Sequence, residues 1–222
     1  MAYLGEIAGV GTALCWSFGA LAFQSASRRV GSLQVNLIRL CMAFCGFVAW
    51  GLATRGLPLP TDASGHAWLW LSLSGLVGFT FGDLCLFQAF VVIGARLSML
   101  IMALVPLFTT ITSWLLMGET LTPVHWGGMT LTMAGVGWVV LGRQPAADGE
   151  RGGVPLQGLL LALGGTVGQA VGLALSKYGM RQYDPFAATQ IRVIAGAAGF
   201  AVLFTILGRW GTIFQAMRHG RA

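Results

Sequence analysis

Asp83 stands inside an apolar stretch that includes Phe79, Phe81, Leu84 and Phe87. A carboxylate at the middle of such a segment costs at least about 2.5–3.5 kcal/mol to place in hydrocarbon, so it must face a bundle interior or a wet cavity. Two roles suit it. It can bind a solute or carry a coupling proton, or it can serve as a hydrogen-bond partner for a neighbouring helix. Arg39 and Arg192 are the charges able to answer it, each just inside the start of a hydrophobic run. Each can pair with Asp83, bind an anionic solute, or snorkel to the lipid head groups along its long stem. Trp16, Gln169 and Phe87 complete the candidate set, because small-molecule sites mix aromatic surface with a few polar groups. Ordinary helix packing is the competing role for Trp16 and Gln169.

Other chemistry finds no footing. Cys15, Cys41, Cys45 and Cys85 lie in hydrophobic runs without a CxxC pair, and read as small packing residues. His66, His125 and His219 fall in or beside loops, too scattered for zinc, so no metal site is expected. No Gly-Lys-Ser/Thr phosphate loop is present, and no Ser or Cys nucleophile has a base at recognisable spacing. The sequence calls for no cofactor and no enzymatic activity.

The elements that position these residues follow from composition. The chain has 222 residues, 56% hydrophobic and 9% charged, with mean hydropathy +0.77. Soluble domains carry about 25% charged residues, so the solvent here is lipid. The 33 glycines let membrane helices approach closely, and the 8 tryptophans suit the membrane interface. The net charge of +6 fits loop arginines meeting anionic head groups, not nucleic acid.

About 20 apolar residues cross the hydrocarbon core. Seven runs qualify: Gly5–Phe23, Leu33–Thr54, Ala67–Val92, Leu97–Met117, Val124–Leu141, Leu156–Ser176 and Phe186–Leu207. Lipid leaves a bare strand edge without partners, so the expected class is all-α, a polytopic bundle. The first run has no Lys or Arg before it and reads as a retained helix, not a signal peptide. Ser25–Ser32, Gly56–His66 and Lys177–Pro185 are expected as loops. The longest linker, 143–155, divides a five-helix unit at 1–142 from a second unit at 156–222.

An internal repeat supports that division. With Arg192 set on Arg39, Gly164 falls on Gly11, Gly172 on Gly19, Ile191 on Ile38 and Gly199 on Gly46 without gaps. The same register sets Gln169 on Trp16 and Lys177 on Gln24. Five spans in the first unit make the second start from the opposite side, the inverted repeat of secondary transporters.

The segment from Ala95 to Gly142 is the most specific. Pro106 lies within the fourth span, and Leu115-Leu116-Met117-Gly118-Glu119 closes it. Gly128-Met129-Thr130-Leu131-Thr132-Met133-Ala134-Gly135-Val136 follows. With Ala13-Leu14-Cys15-Trp16 in the first span, the chain resembles the EamA-type members of the drug/metabolite transporter superfamily. The resemblance implies ten spans in two inverted five-helix halves that move small metabolites across the inner membrane. Here the second repeat is incomplete, and the expectation is a fragment or shortened gene product. The acidic residue of the family's small multidrug members is absent near Trp16, so proton-coupled export of cationic drugs is not carried over. Pro106, Gly118, Glu119, Gly128 and Gly135 are expected to be structural, Pro106 as a kink or hinge. The resemblance places the N-terminus in the cytoplasm, whereas the loop arginines favour the opposite side.

The expected function is secondary-active export of a small metabolite or amino-acid-like solute by alternating access, in the inner (plasma) membrane. The bilayer and the solute are the partners, a proton is the candidate coupling ion, and homo-oligomers or complementing helices are candidate assemblies. The substrate is expected between the first, third, fourth and sixth spans. The competing readings are a non-transporting assembly subunit and a membrane-embedded lipid-modifying enzyme.

Overall fold

The computed structural model describes residues 4–118, 122–141 and 155–211. Those residues form a multi-pass helical bundle without strands. The helices are α1 (Leu4–Val30), α2 (Ser32–Arg55), α3 (Gly65–Gly75), α4 (Asp83–Val92), α5 (Ala95–Met102), α6 (Val105–Met117), α7 (Pro123–Leu141), α8 (Leu156–Met180) and α9 (Pro185–Leu207). A π-helical segment, Leu76–Gly82, joins α3 to α4 in one rod. Six helical stretches among the described residues are long and apolar enough to cross a membrane. The fifth expected span, α7, is helical over 19 residues.

The short connections differ from expectation in one respect. Ser25 to Val30 is helix, not loop, and α2 begins at Ser32. Only Gly31 separates them, at φ +98, a backbone region that glycine enters without a Cβ clash. Likewise α8 runs on through Lys177 to Met180. These polar turns continue the helix because the head-group region can solvate their side chains while the backbone remains self-bonded.

The helix α8 lies at the centre. It packs along the whole α3–α4 rod and against α5 and α6, while α9 covers α2 and α3. Glycine makes this possible. A Cβ on Gly168 would stand 2.7 Å from the Gly82 Cα, and one on Gly172 would stand 2.8 Å from the Gly78 Cα. The backbones therefore touch, and Ser74 donates to the Gly172 carbonyl across the seam at 2.6 Å. Leu33, Leu37 and Leu40 of α2 meet Val193, Phe200 and Phe204 of α9 in one buried cluster. Ala20, Val35, Leu86, Phe87, Phe90 and Ala95 form another.

Contacts fix the helix directions. Gly158 at the start of α8 meets Val92 and Ile93, and Gln24 near the end of α1 accepts from the Ala95 amide at 3.0 Å. Gly179 near the end of α8 meets Trp70 and Leu71. So α8 begins at the end of the bundle where α1 finishes, and the two run in opposite senses. Helix α9 begins beside the end of α2, where the Phe186 and Trp50 ring centres lie 5.0 Å apart.

Candidate functional site

Asp83 is the first residue of α4 and only 1% exposed. The π-helical turn ahead of it places it there. Its amide bonds the Gly78 carbonyl five residues back, not the carbonyl four back. The wider turn rotates every later side chain of the rod relative to a regular helix, and such turns are frequent at functional sites. The carboxylate thereby faces inward between α2 and α8.

Two charge-assisted bonds hold it. Arg39 of α2 donates from Nη2 to Oδ2 and forms an ion pair. Gln169 of α8 donates from Nε2 to Oδ1, and its same nitrogen lies 3.4 Å from the Gly78 carbonyl. Beside them, Asn36 Nδ2 donates to the Asp83 backbone carbonyl at 3.3 Å. Phe87 and Phe23 wall the pair, with the Arg39 guanidinium carbon 5.1 and 5.8 Å from their ring centres. Phe87 is itself 1% exposed and stacked against Phe90. The arginine is therefore a partner of the buried acid and does not snorkel to the surface.

Arg192, on α9, is also buried, at 7% exposed. Its guanidinium carbon lies 4.7 Å from the Phe79 ring centre, and it interacts electrostatically with Asp83. The backbone at Arg192 presses against Gly75, where no Cβ would fit.

The structure thus brings Asp83, Arg39, Gln169, Phe87 and Arg192 into one neighbourhood. It does not bring Trp16 there: that ring lies on α1, 40% exposed. The cluster draws on α2 and α9, the second and seventh expected spans, and not on the fourth span. Asn36 was missed by sequence reading, although its place one turn before Arg39 sets both on one helix face. The π-helical turn was missed too. The spacing Gly75-Gly78-Gly82 gave no sign of it, since the same spacing recurs at Gly165-Gly168-Gly172 in the regular helix α8.

The family-pattern residues lie elsewhere. Pro106 opens α6, and the fourth span is broken ahead of it at Ala103 and Leu104. Gly118 caps α6 at φ +66, its amide bonding the Trp114 carbonyl. Gly128 and Gly135 are exposed on α7 with open space where a Cβ would stand. Glu119 lies outside the described residues.

A carboxylate gripped by an arginine from one side and an amide from the other can act in two ways. It can exchange its partners for a solute, or it can be neutralised by a proton and let the helices part. The chain matches the EamA-like transporter family over residues 3–141. No curated protein and no solved structure matches it.

Proposed function

Because the chain belongs to the EamA-like transporter family, we propose that it is a secondary-active carrier for a small metabolite or amino-acid-like solute, working by alternating access. In this reading residues 1–142 and 156–222 are inverted repeat units, and solute moves outward across the inner membrane. The observation that carries the proposal is the Asp83 carboxylate, held by Arg39 of the first unit and Gln169 of the second. A contact of that kind reports the relative position of the two units. Loss of the Asp83 charge, by protonation or by a competing solute, frees the α8 contact and the α2 contact together. Repacking at such a bistable contact is how a local charge change becomes a global one.

The test is flux. Proteoliposomes are filled with a mixture of amino acids and small organic acids, and released solutes are identified by mass spectrometry, with and without an imposed pH gradient. The wild-type protein is expected to release a subset of the mixture. Asp83→Asn is expected to lose release or its dependence on the gradient while the protein stays monodisperse. Wild-type release no faster than from empty liposomes, with a folded protein, would overturn the reading.

A further inference from the structure

The two arginines do not share Asp83 equally. Arg39 holds it directly, and Gln169 occupies the other carboxylate oxygen. Arg192 makes no ion pair within 4.0 Å among the described residues, and its Nε is buried without a hydrogen-bond partner. Two guanidinium groups therefore stand around one carboxylate, and the cluster carries an excess positive charge. A buried cation without a direct ion-pair partner is costly in a membrane bundle, and such residues mark solute or ion pathways. Ring stacking on Phe79 offsets part of that cost but supplies no acceptor.

Gly78, beside the guanidinium, supplies no side-chain acceptor to it. A Cβ on Gly78 would stand 3.4 Å from Arg192 Nη2, so the glycine keeps side-chain atoms away from the guanidinium edge. Arginine presents a planar fork matched to carboxylate and phosphate oxygens.

We propose that Arg192 receives the negatively charged group of the transported solute, a carboxylate or a phosphate, at the Phe79–Gly78 edge of the Asp83 cluster. This rests on the transporter reading and narrows its substrate class to small anions, including zwitterions with a free carboxylate. The anion completes the charge balance that Asp83 leaves unfinished.

Thermal unfolding of the purified protein in phosphatidylcholine nanodiscs tests it, with inorganic phosphate, benzoate or benzamide added at constant ionic strength. Phosphate or benzoate is expected to raise the Tm saturably by several degrees, and benzamide, the same shape without the charge, is not. Arg192→Gln should abolish the shift. Arg28→Gln, at an exposed site, should retain it. Should Arg192→Gln fail to fold, Arg192→Lys serves: it keeps the charge without the fork and should need roughly tenfold more anion. No shift with either anion, an equal shift with benzamide, or an unchanged response in the Arg192 variants would overturn the proposal. So would a shift produced by phosphatidylglycerol in the nanodisc in place of added anion, which would assign the site to a lipid head group. Flux separates this from the broader reading. Transport only of solutes without a negative group, unchanged in Arg192→Lys, leaves a transporter and removes the anion site. Anion binding without flux of any solute does the reverse.

Discussion

Gln169 on α8 and Asp83 at the head of α4 are joined side chain to side chain, and the Gly78 carbonyl lies within reach of the same Gln169 amide nitrogen. The glutamine thus spans the π-helical turn, touching the residue that accepts the five-residue bond and the residue that donates it. Removing the amide leaves one buried carboxylate oxygen without its donor. Gln169→Ala is expected to cost about 1–3 kcal/mol of stability, the ordinary range for an orphaned buried group. Denaturant unfolding in detergent micelles measures it, and Gln169→Glu, which sets a like charge against Asp83, should cost more.

The Arg39–Asp83 pair calls for a cycle of variants. Arg39→Gln alone leaves the carboxylate without its ion-pair partner, and Asp83→Asn alone leaves the arginine without its own, so each is expected to cost up to about 3–5 kcal/mol. The double variant replaces the ion pair with two amides and leaves the net charge of the cluster as it was. It should therefore cost less than the sum of the singles. Additive effects in the same unfolding assay would show that the two charges do not depend on one another.

Close packing of α8 on the α3–α4 rod makes a sharper prediction, because backbone cannot swing aside as a side chain does. Gly168→Ala and Gly172→Ala each drive a methyl group into a glycine Cα on the facing segment. Each is expected to destabilise by about 1–3 kcal/mol, the range for overpacking. Gly46→Ala, with nothing within 4 Å of the new Cβ, should be neutral or slightly stabilising, since alanine favours helix. Thermal unfolding of the three variants side by side gives the comparison.

What the sequence made legible follows from where misplacement is expensive. Asp83 announced an interior position because lipid exposure of a carboxylate is prohibitive, and it is buried. The sequence offered Arg39 and Arg192 alike as partners for it, with anion binding and snorkelling to the head groups as the other roles, and did not choose between them. Gln169 came from the repeat register, which speaks to position along a helix and not to direction. Trp16, its counterpart in that register, is 40% exposed, because α1 lies at the edge of the bundle while α8 lies at its centre. The helix phase of the third span was not legible. When nearly every residue is apolar, periodicity carries no phase, and the extra residue of a π-helical turn leaves no mark in hydropathy. The break before Pro106 was legible because proline lacks the amide that the preceding turn would use.

At the far end of the bundle from Gly31, Arg55, Asp62 and Tyr183 tie the α2–α3 connection to the α8–α9 connection. Tyr183 donates its hydroxyl to Asp62 Oδ1 at 2.9 Å, and Arg55 pairs with the other oxygen. Burial works upward on the Asp62 carboxyl, but the Tyr183 hydroxyl, its own amide and Arg55 outweigh it and hold the group below its usual range. Burial pushes the Tyr183 hydroxyl up. A depressed acid stabilises above its unfolded value, about 3.9, and loses that contribution as pH falls through the lower folded value. A raised phenol stabilises below about 10 and loses its contribution as pH rises through the higher folded value. The clamp is therefore expected to be insensitive to pH between about 5 and 9. Tyr183→Phe should lower the Tm slightly and equally across that window, and a variant whose deficit changed inside it would contradict the assignment.

Pro106 offers the clearest separation of a break from a hinge. Ahead of it, the Ala103 amide is shared between the Met99 and Leu100 carbonyls at 3.2 and 3.1 Å, and Leu104 bonds Ile101 at 3.0 Å, a tightened turn. Proline in the first turn of α6 is tolerated, because the first amides of a helix have no partner within it. Replacing it by alanine supplies an amide in line with the Met102 carbonyl. The gain, about 0.5–1.5 kcal/mol for one bond, opposes the freedom returned to the unfolded chain, about 0.4–1 kcal/mol. Stability should thus move by less than about 1 kcal/mol. Hydrogen exchange across residues 103–108 should nevertheless slow, because the two short helices can join. If the break serves as a hinge, solute release in Pro106→Ala falls while Tm holds. If it is a fixed bend, exchange slows and release is unchanged.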